Sequence, residues 1–493
     1  MARAAGRLRP LVEFRKDSDM ALKLHNTLSG QLETFVPLNP GRVALYACGP
    51  TVYDHAHVGH ARAAVAFDIL VRHLQVMGLT VTYVRNYTDV DDKIIRRAEE
   101  RGEDWRALAR MHIDSYAEDT KALGCLEPAE TPRATDYIEA MIEDIQAIVD
   151  RGLAYSLEGD VYFDVAAYPA YGRLSRRTME EQEAGARVAV DERKKSAADF
   201  ALWKAAKPGE PAWPSPWGPG RPGWHIECSA MSFRLLGAEF DIHGGGLDLI
   251  FPHHENELAQ SGALDRPLAR FWTHNGFVRL NNEKMSKSLG NFFIVKDILR
   301  KFDGETLRFL LVSKHYRGPL DFSDEALVEA EKALERIYRA LAAAGELMAG
   351  QAATHEDAQA ALSQTFRDKF QEAMDDDLNT AKALGVAFDL VRVMNRAVQE
   401  GRPEETAAFY AALDSMGEKL GLWRKTPADF FKTLSSGRDD RPTPEEIETL
   451  VAARGEARAA RNWAEADRIR DELQARGILL EDKAGTTAWK FAR

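Results

Sequence analysis

The chain has 493 residues, 45% of them hydrophobic and 29% charged, and a formal net charge of −12. That length exceeds what one core can fill and predicts about three domains, while no run approaches the roughly 18 apolar residues of a membrane span. The acidic balance argues against a protein that coats nucleic acid indiscriminately, and three cysteines, Cys48, Cys125 and Cys228, are too few for a disulfide framework.

Residues 1–20 carry Arg3, Arg7 and Arg9 without the apolar run of a secretory signal and read as a flexible extension. A cytoplasmic setting, with reduced thiols open to a metal or to a core, is the expectation. Arg42 to Cys48 reads as a buried strand stopped by Gly49-Pro50. Val65, Phe67, Leu70, Val71, Leu74 and Met77 recur at helical spacing, Gly78 ends that helix, and Leu79 to Val84 is a second β-rich run. Strand, helix and strand in that order form a βαβ unit, hence a parallel sheet with a right-handed crossover. Ligands of such sheets sit beyond the carboxyl ends of the strands, where Cys48 and the loop holding His57 and His60 fall. A dinucleotide site wants a GxGxxG turn there, and none is present.

Residues 136–225 read as an insertion that divides the sheet into two halves. It holds a helix from Tyr137 to Asp150, a hairpin from Ala154 to Asp164, and a Pro/Gly/Trp loop from Pro208 to Pro222 that returns the chain. After Gly318-Pro319 the character turns helical: Leu327, Leu334, Ile337, Leu341 and Met348 mark one stripe, and Leu384, Phe388 and Val391 another. A polar linker from Ser435 to Pro444 leads to a small terminal module whose helical part includes Trp463, Ala466, Ile469 and Leu473. In 441–493 ten Lys/Arg balance ten Asp/Glu, which suits RNA contact and a solvated helical face equally. The fold class is α/β: a Rossmann-like parallel sheet split by an insertion, then an α-helical bundle domain and a small C-terminal module.

Three constellations carry chemistry. His57-Val58-Gly59-His60 places two imidazoles at i and i+3 on the first turn of a helix, whose N-terminus attracts anions through unpaired N–H groups and the dipole. Gly59 leaves room there for a flat group to approach the backbone. Lys284-Met285-Ser286-Lys287-Ser288 puts two ammonium groups and several hydroxyls in one loop, a set suited to polyphosphate. Pro252-His253-His254-Glu255-Asn256-Glu257 opens a helix with proline at its first position, so that His253 and Glu257 share a face as two metal ligands would. The first two have plainer alternatives: helix-start histidines and a basic surface loop. From the residues alone Cys48 and Cys228 read as well as apolar fillers as ligands beside that helix, and Cys125 reads as a filler.

The histidine and lysine segments together resemble the HIGH and KMSKS motifs of class I aminoacyl-tRNA synthetases. Tyr46-Ala47-Cys48-Gly49-Pro50-Thr51-Val52-Tyr53-Asp54 is similar to the cysteinyl-tRNA synthetase family in particular. So are Asp199 to Lys204, Arg221-Pro222-Gly223-Trp224-His225-Ile226-Glu227-Cys228, and Asp241-Ile242-His243-Gly244-Gly245-Gly246 through Glu257. Beyond residue 320 the likeness rests on Asp376-Asp377-Leu378-Asn379-Thr380 and on Leu480-Glu481-Asp482 to Trp489. Val58 stands where the motif has isoleucine, one apolar residue for another.

This resemblance implies a cysteine–tRNA ligase with L-cysteine, ATP with Mg²⁺, and tRNA(Cys) as partners, without membrane or obligate protein partner. It implies one zinc ion on Cys48, Cys228, His253 and Glu257. Zinc binds thiolate sulfur at ~2.3 Å and suits it better than an alcohol that stays protonated, whereas packing separates near-isosteres by only about 10–200-fold. Four protein ligands close a site, so substrate entry implies a fifth ligand or a loosened Glu257. Further implied roles are ATP contacts at Gly49, Thr51, Gly59, Asp248 and Lys287, catalysis by His57, His60, Lys284 and Lys287, and a cysteine pocket lined by Thr88, Trp224 and His243. The implied domains are 21–135 with 226–275 (catalytic), 136–225 (connective insertion), 276–322 (KMSKS-bearing stem contact), 323–430 (helical, tRNA-binding) and 441–493 (anticodon-binding). Two rivals remain at this stage: a ligase passing cysteine to a small amine, which would not need residues 323–493, and a non-catalytic relative of the same fold.

Overall fold

The computed structural model describes residues 21–177, 193–280, 283–284, 293–349, 357–436, 444–460, 462–475, 478–483 and 486–491. They fall in two compact units. The first lies within Met1–Phe292, Leu311–Phe322 and Thr365–Ala387, and the second within Phe293–Leu310, Ser323–Gln364 and Phe388–Arg493. No helix of the described residues is long and apolar enough to cross a membrane.

The first unit is built on four parallel strands in the spatial order Leu268–Asn275, Glu239–Gly246, Arg42–Ala47, Thr80–Arg85. Arg42–Ala47 buries Val43, Leu45, Tyr46 and Ala47, as an inner strand covered on both faces must. The helix Val58–Val76 carries the chain from Arg42–Ala47 to its parallel neighbour Thr80–Arg85, burying Ala61, Val65, Phe67, Leu70, Val71 and Leu74. Gly78, at φ +83°, turns the chain into the next strand. Strands from before and after the insertion meet at the middle of the sheet, where Tyr46 pairs with His243 and Ala47 with Gly244. The strand order reverses at that seam, and the crevice beyond its carboxyl end is where such sheets bind ligands.

The insertion adds a helix, Ile138–Asp150, and an antiparallel sheet in the order Ala154–Leu157, Asp160–Phe163, Phe200–Ala205, Gly220–Pro222. Its hairpin turns at Glu158 and Gly159, both at positive φ, the two-residue turn that matches strand twist. Met141, Ile145, Ile148, Phe163, Leu202 and Trp203 form the core beneath it. One expectation is corrected here. Gly220–Pro222 is a fourth, edge strand and not part of the returning loop. Pro222 is tolerated because an edge position needs no donor on its open side, and a Cβ on Gly220 would lie 2.3 Å from Trp203 Nε1.

In the second unit the helix Asp324–Met348 buries Leu327, Leu334, Ile337 and Leu341, and Pro403–Leu420 contributes Phe409, Leu413 and Leu420. The terminal segment folds as helices Pro444–Ala459 and Trp463–Ala475 followed by the hairpin Ile478–Lys483 with Thr486–Phe491. Its small core is Ile447, Ile469, Leu473 and Ile478. Trp463 opens its helix and is 59% exposed, outside that core.

Candidate metal centre and nucleotide end

Cys48 is the first residue past the central strand, with its N–H on the Gly244 carbonyl at 3.0 Å. Cys228 lies near the start of the helix Trp224–Leu236 and is buried. His253 belongs to a wide turn, Ile250–His254, that runs into the helix Glu255–Ala263 carrying Glu257. A Cβ on Gly244 would stand 2.4 Å from the Phe67 ring of the helix Val58–Val76, and one on Gly245 would stand 2.7 Å from Leu249 and 3.0 Å from the His254 ring, so glycine lets both the helix and this turn pack close on the strand.

Four residues separated by up to 209 positions therefore converge. Cys48 Sγ is 3.5 Å from Cys228 Sγ, 3.5 Å from His253 Nε2 and 3.4 Å from Glu257 Oε1. His253 Nε2 is 3.0 Å from Glu257 Oε1. All four donor atoms lie within 4.8 Å of one another. Donors around tetrahedral zinc stand roughly 3.3–3.8 Å apart, so two sulfurs, one imidazole and one carboxylate fit such an ion with slight expansion. A second group, Cys48, His243, His254 and Glu257, meets the same distance limit. It has one sulfur instead of two, and its His243 already bonds Glu257 Oε2 at 2.7 Å.

The four donors share protons among themselves, and binding a metal would release them. Burial raises Cys48 well above the usual thiol range, and its bond to Cys228 adds to that. Cys228 falls to about 6: burial opposes ionisation, but the hydrogen bond from Cys48 and the His253 cation outweigh it. His253 rises to about 10 against the cost of burial because Glu257 and Cys228 hold its proton. Glu257 stays ionised, well below the carboxylate range despite burial, through His243 and His253.

A second ring of side chains orients these donors. His225 Nδ1 is 2.9 Å from His253 Nδ1, and burial beside His253 holds His225 neutral, well below its ordinary range. Such a partner fixes which ring nitrogen of His253 faces the site. Trp224 stacks on the His253 ring at 4.3 Å and 25°. His243 bridges Glu257 Oε2, at 2.7 Å, and the Tyr46 carbonyl, at 3.2 Å. His254 continues to His274 and Thr27, each step 2.8 Å. Thr88 donates to the buried Glu227 at 2.6 Å. Of the expected cysteine-pocket residues, Trp224 and His243 touch metal-site side chains directly, and Thr88 touches Glu227, the neighbour of Cys228. Sequence reasoning passed over His225, Glu227, His254 and His274. The only signal for the first three was adjacency to named positions.

At the start of the helix Val58–Val76 His57 and His60 stack, 3.7 Å between centroids and 16° between planes, and the His57 N–H donates to His60 Nδ1 at 3.3 Å. The room expected over Gly59 holds the His57 ring, 2.9 Å from where a Cβ would be. Gly49 donates to Asn86 Oδ1 at 2.8 Å, and a Cβ there would meet the Asn86 carbonyl at 1.7 Å. Thr51 bridges to Thr88, and Asp248 is exposed on the turn Leu247–Leu249. Lys284 is described through its backbone alone, paired with Arg279. Lys287 and the rest of its motif lie outside the described residues.

Residues 34–332 match the family model for tRNA synthetases class I (C) catalytic domain. Residues 369–424 match the DALR domain, and 440–489 the cysteinyl-tRNA ligase anticodon binding domain. A cysteine–tRNA ligase of Geobacter sulfurreducens is 53% identical over 96% of this chain and 100% of its own length. One of Methylococcus capsulatus is 52% identical over 95% and 99%. Among solved structures, Mycobacterium tuberculosis methionyl-tRNA synthetase in complex with methionyl-adenylate shares the fold, with a TM-score of 0.57 at 17% identity over 81% of this chain and 95% of that one. On its catalytic domain, both appended domains and its full-length relatives, the chain belongs to the cysteine–tRNA ligase family of class I aminoacyl-tRNA synthetases.

Proposed function

We propose that the chain activates L-cysteine with Mg²⁺-ATP and transfers it to the 3′ end of tRNA(Cys), selecting cysteine over serine through a zinc ion held by Cys48, Cys228, His253 and Glu257. The observation that carries this reading is the convergence of those four donors at the carboxyl end of the central strands. When bound, zinc supplies a soft Lewis acid that prefers a thiolate to a hydroxyl.

The chain's own groups do the rest. Trp224 and Thr88 line the cysteine pocket. His243 and His225 keep Glu257 and His253 in register. The cysteine carboxylate attacks the α-phosphorus, and the bond to the β-phosphate oxygen breaks to release pyrophosphate. Little covalent chemistry falls to the protein, so alignment and charge stabilisation dominate. His57 and His60 donate to the α-phosphate from the helix N-terminus. Gly49, Thr51 and Gly59 border the nucleotide, Asp248 takes the ribose hydroxyls, and Lys284 and Lys287 neutralise the departing pyrophosphate. The terminal 2′-hydroxyl of the tRNA then attacks the adenylate carbonyl and AMP leaves. The helical and terminal domains hold the tRNA body and anticodon.

Amino-acid-dependent ATP–pyrophosphate exchange tests this. Cysteine should drive exchange, serine should be at least about 10⁴-fold poorer, and chelation should abolish the difference. Equal use of serine, or exchange without any amino acid, contradicts it.

A further inference from the structure

Arg62, two residues beyond His60, is 2% exposed. It has no carboxylate partner among the described residues. Its guanidinium donates instead to four backbone carbonyls: Phe277, His315 and Tyr316, each at 3.3 Å, and Gly318. Burial brings it down only to about 10, so it stays a cation. A buried cation is costly unless its donors find acceptors, and three of the four acceptors of this one belong to a single turn, 315–318.

The turn is gripped from another direction by its side chains. Asp377 accepts from the Tyr316 hydroxyl at 2.8 Å, from Arg317 Nε at 2.5 Å and from the His25 N–H at 2.9 Å. Asp377 and Leu378 sit at φ +55° and +53°, a conformation that costs a leucine about 1–2 kcal/mol and persists where surroundings over-determine it. Arg62, Tyr316, Leu378 and Thr380 also border one cavity of about 20 Å³. The same turn closes on the strand Val278–Leu280, through Gly276 N to the Tyr316 carbonyl at 2.8 Å and Leu320 N to the Phe277 carbonyl at 3.0 Å. In sequence that strand leads into the Lys284–Ser288 motif.

We propose that Arg62 and Asp377 are positioning residues for the activation step. They clamp the turn 315–318 by its carbonyls and by its side chains, and so fix the helix bearing His57 and His60 against the root of the lysine motif. This rests on the reading that these two motifs handle ATP. It gives a role to the Asp376–Thr380 motif that substrate contacts do not use.

The test is exchange kinetics on the full-length protein with Arg62→Met, Arg62→Lys, Asp377→Asn and the double variant, alongside metal content and melting temperature. Arg62→Met should lower kcat about 100-fold, the scale of a 1 Å misplacement, with the KM for cysteine within about twofold and metal content unchanged. Arg62→Lys should recover part of the loss, Asp377→Asn should lower kcat about tenfold, and the double variant should be no slower than its slower parent, because both act through one turn. Wild-type kcat in folded Arg62→Lys and Asp377→Asn overturns the inference even if Arg62→Met fails to fold, and so do multiplicative losses in the double variant. Absence of cysteine-driven exchange in the wild type removes the activation reading, and the inference with it.

Discussion

Cys228 and Ser are nearly isosteric, which makes Cys228→Ser the cleanest single-residue test of the donor set. The change keeps the space and removes the soft donor from a position that is 1% exposed. It is expected to strip zinc from the purified protein and to raise the KM for cysteine by about 100-fold or more, measured by elemental analysis and exchange kinetics. His225→Phe keeps the ring stacking but deletes the partner of His253 Nδ1, and is expected to weaken zinc affinity about 10–100-fold in a chelator competition. His112 gives a pH prediction away from the site. It is buried, both ring nitrogens lack partners among the described residues, and burial together with His55 lowers it to about 4. The unfolded chain therefore binds the extra proton first. Stability is fully present above pH ~6.5 and is lost as pH falls towards about 4, by on the order of 1–3 kcal/mol. Denaturant titrations of wild type and His112→Phe across that window should show a flatter curve for the variant. At this scale the four donors were legible only through resemblance. Spacing joined His253 to Glu257, but nothing local says that Cys48 and Cys228, 180 positions apart, face one another. The histidines around them carry no pattern because their partners are remote in sequence, His253 for His225 and His274 for His254.

Elements were legible where periodicity is long. Val58–Val76 and Asp324–Met348 each repeat an apolar stripe over several turns, and both form with those faces buried. Gly220–Pro222 was not legible, because three residues with a terminal proline carry no alternation and pair only once Phe200–Ala205 is in place. That insertion sheet depends on one buried carboxylate. Asp199 accepts from Val165 N at 3.0 Å, Tyr155 OH at 2.8 Å and Ser196 N at 3.0 Å. Asp199→Ala leaves those donors unmet and is expected to cost about 2–4 kcal/mol locally. Hydrogen exchange should accelerate across 154–165 and 196–205 while zinc content stays at the wild-type level. Faster exchange around Cys48 and Cys228 as well would show that the insertion and the metal site unfold together.

Over the whole chain, an acidic body must still engage a polyanion. The net charge of −12 sits beside a terminal segment in which ten basic and ten acidic residues balance, so on the proposed function attraction for tRNA is expected to be local, with few counterions released. Between roughly 50 and 200 mM salt the KM for tRNA should rise clearly but less than the 10³–10⁵-fold loss of a heavily phosphate-gripping protein, while cysteine-driven exchange changes little. The central claim concerns the metal, and zinc-edge X-ray absorption on the protein with and without cysteine tests it most directly. Two sulfur neighbours in the resting protein and three with cysteine are expected, with serine leaving the count at two. A single sulfur at rest, or no change on adding cysteine, would contradict the account.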